Sequence, residues 1–457
     1  MVIDYQASAK EAFAKIDENH FGLIFVIDSD GAVCAAATDG DIRRGLLRGL
    51  CLDDPISAFA NADFIWKSEN AEREELLKVL DHRVKVIPLL DSAGRLVKVV
   101  TNESFPTLPE QRVYARARAP VRVSFGGGGS DVTHFFSSHL GAVLSSTISV
   151  YSHATLRVRD DQKIYINSID LDLSFMIDSF AKLNELPEQF RLLKAIIELV
   201  NPEIGFDLYL YSEFPIKSGL GGSSAVSACV FGVFNELRRD KWDSHELAAL
   251  AFQAERLVLG VNGGWQDQYA AVFGGINFIE FKTGAENVVS ALRVKDSILR
   301  ELESSLVLCD TGISHDSGFI HKTHRSGIEQ GLNLEPLKAS VELSYQMRNL
   351  LIRGQLRDFG LLLDEAWQLK KKYSSAISSE TLNRVYEGAK KHGALGGKIL
   401  GAGGGGFFLF YADSFEKNLL IEYLEKQELN VVPFRFESAG LQSWSVRDVE
   451  EKKRCQL

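Results

Sequence analysis

The chain has 457 residues, 45% hydrophobic and 25% charged, and a formal net charge of −10. That composition predicts a soluble globular protein of roughly two to four domains, and the acidic balance argues against a nucleic-acid partner. No apolar run approaches the ~18–20 residues that span a bilayer. The start, Met1-Val2-Ile3-Asp4-Tyr5, lacks the basic and apolar regions of a signal peptide. Cys34, Cys51, Cys229, Cys309 and Cys455 are scattered with no C-x-x-C pair. This predicts a cytoplasmic protein with neither a disulfide framework nor a zinc site. A bound polyphosphate would then depend on glycine loops, a metal ion and a few placed cations.

The first hundred residues contain an internal repeat. Residues 25–38 and 87–101 both run apolar, Asp-Ser, a glycine three after the Asp, an apolar strand and a threonine ten after the Asp. Asp28, Gly31 and Thr38 correspond to Asp91, Gly94 and Thr101 at an offset of 63 residues, so a strand–turn–strand unit occurs twice. Helical material runs from Asp41 to Leu50 after the first copy and from Asn70 to Asp81 before the second. Residues 1–104 resemble a pair of cystathionine-β-synthase (CBS) motifs, an α/β domain. In that family a Thr/Ser-x-x-Asp element binds adenosyl ribose, and Thr38-Asp39-Gly40-Asp41 matches it. The second copy, Thr101-Asn102-Glu103-Ser104, lacks the aspartate, so the resemblance implies at most one adenine-nucleotide site, at Thr38 and Asp41. A pair that only docks or forms a homodimer would read the same way. Prolines at 106 and 109 predict a linker over residues 105–112.

The main body opens on a strand-like alternation from Val113 to Phe125, with Pro120 marking an edge or bulge. It runs into Gly126-Gly127-Gly128-Gly129-Ser130-Asp131. Consecutive glycines cost roughly 0.5–1 kcal/mol each to order in regular structure, which points to backbone passing close to something. A flexible hairpin tip is the alternative. Arg122 and Asp131 flank the glycines, a cation and a carboxylate suited to a polyhydroxylated substrate with a phosphate nearby.

A strand-like run, Phe206 to Tyr211, then leads into Pro215-Ile216-Lys217-Ser218-Gly219-Leu220-Gly221-Gly222-Ser223-Ser224 and a helix-like run from Val226 to Leu237. A glycine turn opening a helix offers unpaired N–H groups at the positive end of a dipole, where phosphate fits. A serine-capped helix start would look alike. Asp243-Ser244-His245-Glu246 predicts a capped second helix that carries Glu255 at the border of its apolar stripe and ends near Gly260. Asp267 follows between glycine pairs, in Gly264-Trp265-Gln266-Asp267-Gln268, where it could accept a hydroxyl proton beside a polyphosphate or cap a helix. His315, His321 and His324 are too loosely spaced for a zinc site, and Ser314, His315, Lys322 or Arg325 suit phosphate contacts better. Leu343 to Arg353 and Phe359 to Tyr373 read as amphipathic helices. A third cluster, Gly401 to Gly406, matches G-x-G-x-x-G but precedes an aromatic strand, which excludes the dinucleotide fingerprint. Gly393-x-x-x-Gly397-Lys398-Ile399 falls short of a phosphate-loop motif, with one residue too few and no hydroxyl after the lysine.

Ala119-Pro120-Val121-Arg122 with Gly126 to Asp131, Pro215-x-x-x-Gly219-Leu220-Gly221-Gly222-Ser223-Ser224-Ala225, and Gly401 to Gly406 before a strand occur in the order seen in GHMP kinases. Over about residues 112–445 the chain resembles that family of galactokinase, homoserine, mevalonate and phosphomevalonate kinases. Gly222 stands where the family commonly has Ser or Thr. The Gly264 to Gln268 stretch and Thr311-Gly312-x-Ser314 are most similar to the branch that phosphorylates D-glycero-D-manno-heptose 7-phosphate at its anomeric hydroxyl, on the way to surface polysaccharide. The resemblance implies an α+β fold of two domains, residues 113–300 and 301–450, the second ferredoxin-like. It implies ATP held by Pro215, Lys217, Ser218, Gly219, Leu220, Gly221, Gly222, Ser223 and Ser224, and Mg2+ held by Ser223 and Glu255. It implies Asp267 as catalytic base with Arg122 beside it, and sugar contacts from Gly128, Gly129, Ser130, Asp131, Gly264, Gly403 and Gly404. A kinase for a free sugar such as fucose or galactose, and a non-catalytic sugar sensor on the same fold, are the competing readings.

Overall fold

In the computed structural model of the protein, the described residues are 1–71, 73–80, 84–101, 113–216, 218–313 and 317–447. The chain divides into two compact units, Met1–Glu110 and Gln111–Leu457. The expected linker at residues 105–112 lies outside the described residues. Among the described residues, no helix is long and apolar enough to cross a membrane.

The first unit repeats one arrangement. Strand β1 (Val2–Asp4), helix α1 (Ala9–Asn19), strands β2 (Leu23–Ile27) and β3 (Val33–Thr38), and helix α2 (Asp39–Leu47) are followed by β4 (Lys67–Ser68), α3 (Arg73–Val79), β5 (Val86–Leu90) and β6 (Leu96–Thr101). Each copy is a three-stranded sheet whose first strand pairs parallel, and whose third pairs antiparallel, with the middle one. The repeated Asp-Ser turns lie in β2–β3 and β5–β6, where Asp28 and Asp91 accept backbone N–H groups across the turn and Gly31 and Gly94 take positive φ. Ile24, Val26, Ala37 and Ile42 are fully buried in one core, and Ile87 and Val100 in the other.

The second unit begins with β7 (Val113–Gly126), α4 (Thr133–Phe136), β8 (Gly141–Val158), β9 (Ile164–Ser168), β10 (Leu173–Ile177), α5 (Arg191–Val200), β11 (Phe206–Ser212), α6 (Gly222–Leu237), α7 (Ser244–Phe252), α8 (Gln266–Phe273), β12 (Ile276–Phe281), β13 (Val288–Ala291) and α9 (Asp296–Ser305). Strands β10-β9-β11-β8-β12-β13 form a sheet to which β7 adds through β8. Pro120 sits at a register shift of β7, the bulge its missing N–H predicts. Helix α6 is buried nearly all round, from Ser224 through Asn235, and packs on β7 and β8 with α5, α7 and α8 around it. A helix apolar on every side belongs at the centre of a domain. Its buried Val230, Phe231 and Val233 each contribute roughly 1.5–3 kcal/mol. That burial fixes the glycine turn at its amino end.

The chain continues with β14 (Leu306–Asp310), α10 (Ser317–Glu329), α11 (Leu334–Arg353), α12 (Leu356–Lys371), α13 (Glu380–Lys391), β15 (Ala394–Ile399), β16 (Phe407–Ala412), α14 (Lys417–Lys426), β17 (Asn430–Val432) and β18 (Gln442–Arg447). Strands β15-β16-β14-β17 make an antiparallel sheet in the ferredoxin-like order. Two boundaries differ from the sequence expectation. The division at 300/301 falls inside α9, and β18 leaves the second sheet to pair with β7 in the first. Phe125 of β7 meets Phe359 of α12 edge-on at 5.3 Å, so one core joins both sheets.

Candidate active site

The glycine turn before α6 is shaped by close approach. Gly219 and Gly221 take φ of 76° and 79°, where side-chain-bearing residues are strained. A Cβ on Gly222 would lie 2.3 Å from the Phe214 ring, which accounts for glycine where the family commonly carries a hydroxyl. Pro215 is exposed at the turn, Ser218 and Leu220 are buried, and Lys217 lies outside the described residues. The third glycine cluster packs against this turn. A Cβ on Gly401 would lie 2.6 Å from the Gly219 Cα, and one on Gly406 would lie 2.5 Å from the Ser218 carbonyl oxygen. The two glycine clusters therefore permit backbone to lie on backbone.

Glu255 stands on a widened π-helical turn, Gln253–Val258, that continues α7. Such turns often mark functional sites. Its carboxylate accepts from the Ser223 hydroxyl at 2.7 Å, the Ser224 hydroxyl at 2.8 Å and the Gln268 amide at 3.0 Å. Ser223 is exposed at the helix start, whereas Ser224 and Glu255 are buried. The capping box that starts α7 is present, with Asp243 and Glu246 each accepting the other's backbone N–H.

Asp267 is the second residue of α8, and its Oδ1 accepts from Arg122 Nη2 at 2.7 Å and Nε at 2.9 Å. Arg122 Nη1 donates to the Gly219 carbonyl at 2.8 Å, and its backbone N–H to Leu220 at 3.0 Å. Arg122 thus ties the carboxylate to the glycine turn. Asp131 is buried. Its Oδ1 accepts from the Gly129 N–H at 3.0 Å and its Oδ2 from the Gln266 N–H at 3.1 Å. Burial, and then the nearby Asp267 carboxylate, raise the Asp131 pKa.

These groups border a cleft of about 680 Å³ including its open mouth. Arg122, Gly128, Gly129, Asp131, Gly264 and Asp267 line it, whereas Ser218 to Ser224 and Glu255 are not among the lining residues. Ser130 does not line it. Its buried hydroxyl donates to the Gly127 carbonyl and accepts from the Ala142 N–H, which locks the loop onto β8. Gly401 and Ala402 line the cleft where Gly403 and Gly404 were expected, since the latter two pack against Ile377. Arg325 pairs with Glu329 at the surface. Ser314 and His315, and the side chains of His321 and Lys322, lie outside the described residues. In the first unit, Thr38 and Asp41 form the capping box of α2. Asp41 Oδ2 accepts from the Thr38 N–H at 2.9 Å and Oδ1 from Arg44 at 2.6 Å. Partial burial works against the ionised form, but the Thr38 and Arg44 contacts outweigh it and lower the Asp41 pKa.

Further cleft residues carry polar groups that the sequence did not mark as part of the site. Lys370 donates to the Ile399 and Gly401 carbonyls at 2.9 and 2.6 Å, and Lys398 to Phe125 at 3.1 Å. Burial drives both lysine pKa values down, that of Lys398 to about 7. His324 stacks on Tyr373 at 5.2 Å. Burial and then Lys370 lower its pKa to about 4. Among the described residues no group of three or more His, Cys, Asp and Glu side chains is placed to hold a metal ion. A signal for Lys370 was present: it falls on the apolar stripe of α12 with Leu363, Ala366 and Trp367.

Known proteins match this chain along its second unit. Residues 191–275 match the GHMP kinases N terminal domain, and residues 347–429 the GHMP kinases C terminal domain. A D-glycero-alpha-D-manno-heptose 7-phosphate kinase from Campylobacter jejuni is 35% identical over 336 residues, 72% of this chain and 99% of the relative. The crystal structure of a D-glycero-D-manno-heptose 1-phosphate kinase from Bacteroides thetaiotaomicron superposes with a TM-score of 0.61 at 29% identity, covering 73% of this chain and all of that one. The crystal structure of a putative sugar kinase from Campylobacter jejuni superposes with a TM-score of 0.61 at 34% identity, over 74% of this chain and all of that one. With the glycine turn before α6 packed on the third glycine cluster and a relative matched over 99% of its length at 35% identity, the chain belongs to the GHMP kinase family.

Proposed function

We propose that the chain is a sugar-phosphate kinase that transfers the γ-phosphoryl group of ATP to the anomeric hydroxyl of D-glycero-D-manno-heptose 7-phosphate. The observation that carries this reading is the Arg122–Asp267 pair, held to the glycine turn through the Gly219 carbonyl and open to the cleft. Phosphoryl transfer asks the protein mainly for positioning and charge neutralisation. The backbone of the turn and the amino end of α6 hold the ATP phosphates. Both Arg122 bonds engage Oδ1 of Asp267, so Oδ2 takes the proton of the sugar hydroxyl. Gly128, Gly129, Asp131 and Gly264 hold the sugar. The heptose substrate is supported by the 35% identical Campylobacter relative.

The hydroxyls of Ser223 and Ser224 with the Glu255 carboxylate fit a magnesium ion, which takes one or two carboxylates and substrate phosphates as oxygen ligands. When bound, the ion neutralises phosphate charge.

ADP release with heptose 7-phosphate tests the assignment. Asp267→Asn keeps the shape of the side chain and removes the base, so kcat should fall by about 10²- to 10⁴-fold. A variant as active as the wild type would sink the kinase mechanism.

For the first unit we propose a CBS-like pair that binds an adenine nucleotide at Thr38 and Asp41 and tunes activity. Support comes from the duplicated sheet and from the position of both residues where β3 passes into α2.

A further inference from the structure

Arg256 follows Glu255 on the π-helical turn and lines the cleft, with its side chain only 12% exposed. A guanidinium has five N–H donors. Among the described residues, those of Arg256 make only long contacts, 3.5 Å from Nη2 to the Gly264 carbonyl and 3.7 Å from Nη1 to the Glu255 carboxylate. Its Nε is buried without a hydrogen-bond partner among the described residues. Arg122, by contrast, makes short bonds to Asp267 and to the Gly219 carbonyl. The chain also makes room for Arg256, since a Cβ on Gly263 would lie 2.4 Å from its Cζ. His324 presents a second orphan. Its Nε2 is buried without a partner among the described residues, and the ring lines the same cleft beside Gly129. Burial and Lys370 keep this imidazole neutral near pH 7, with one N–H to donate.

Unsatisfied buried donors are costly unless a ligand completes them. A guanidinium fork matches a dianionic oxyacid bidentately. We infer that Arg256 and His324 form the subsite for a phosphate ester carried by the acceptor sugar, and that they select phosphorylated over free sugars. This rests on the reading of the chain as a sugar kinase. It assigns to two residues the discrimination that the reading leaves unassigned.

The test is the ratio of kcat/KM for heptose 7-phosphate to kcat/KM for the unphosphorylated heptose, in the full-length protein. Arg256→Gln should lower this ratio by about 10- to 100-fold, through the KM of the sugar phosphate, with the KM for ATP unchanged. His324→Gln should lower it by about 3- to 10-fold. Arg256→Lys, which keeps the charge without the fork, should fall between Gln and wild type. Because the ratio is internal to each preparation, loss of folded protein divides out. A ratio within about threefold of wild type in both Arg256→Gln and His324→Gln overturns the inference alone. A rise in the KM for ATP in its place assigns Arg256 to the nucleotide and also overturns it. A wild-type protein that turns over free sugar but no sugar phosphate removes both the inference and the heptose phosphate reading.

Discussion

At Gly264 a single methyl group would collide with the Asp131 carboxylate that lines the cleft. A Cβ there would lie 1.8 Å from Asp131 Oδ2, and Asp131 is held on both oxygens by backbone N–H groups. The carboxylate cannot give way without losing the Gln266 bond. Gly264→Ala should therefore destabilise the protein by about 1–3 kcal/mol and raise the KM for sugar by about tenfold or more. Gly260→Ala is the control. Gly260 has open space around it but a φ of 67°, so strain of about 1 kcal/mol is expected with no change in KM. Denaturant melts and sugar titrations on both variants check this, and equal effects would refute it. The sequence showed Gly264 and Asp131 as separate signals. It could not show that one exists to admit the other, because their contact is made only when α8 docks beside the loop after β7. Arg256 was hidden for a related reason. Its sequence reads as a helix neighbour of Glu255, and composition carries no mark of a widened turn.

At the scale of elements, two lysines tie β15 and the loop after it into the site. Lys398 of β15 donates to the Phe125 carbonyl, at the register shift of β7 between Ser124 and Gly126. Lys370 of α12 holds the Ile399 and Gly401 carbonyls. Burial, with Arg122 nearby, pushes the Lys398 pKa down to about 7. The unfolded chain keeps this proton to about pH 10.4. Between those values the unfolded state binds more protons, so stability rises with pH. Lys398→Met removes this dependence. Comparing denaturant melts at pH 7 and pH 9, the wild type should gain about 2 kcal/mol relative to Lys398→Met, and parallel stability curves would refute the buried amine. Amphipathic stripes and caps made α7 and α12 legible beforehand. The lysine tethers were less so, because a lysine in a strand gives no hint of which carbonyl it will meet.

For the whole molecule, glycine spacing and motif order made the kinase unit readable from the sequence. The return of β18 to β7 was not, since a short polar strand near the end of the chain carries no signal of which sheet edge it will join. The repeat in the first unit was legible because each copy carries the same Asp-Ser turn, and those turns recur in β2–β3 and β5–β6. Its proposed ligand site is a harder case. Thr38 and Asp41 already satisfy one another, and Arg44 occupies the remaining Asp41 oxygen. A ribose diol must displace Arg44 to reach the carboxylate, so binding should be weak, with a Kd of about 0.1–1 mM for AMP. Calorimetry on the full-length protein checks this. Asp41→Asn should weaken binding at least about tenfold, because an amide offers one acceptor where the carboxylate offers two. It also weakens the capping box of α2 and the Arg44 contact, which a melt of the same variant measures separately. No heat with AMP, ATP or S-adenosylmethionine, or unchanged binding in Asp41→Asn, would leave Thr38 and Asp41 as a helix cap and nothing more.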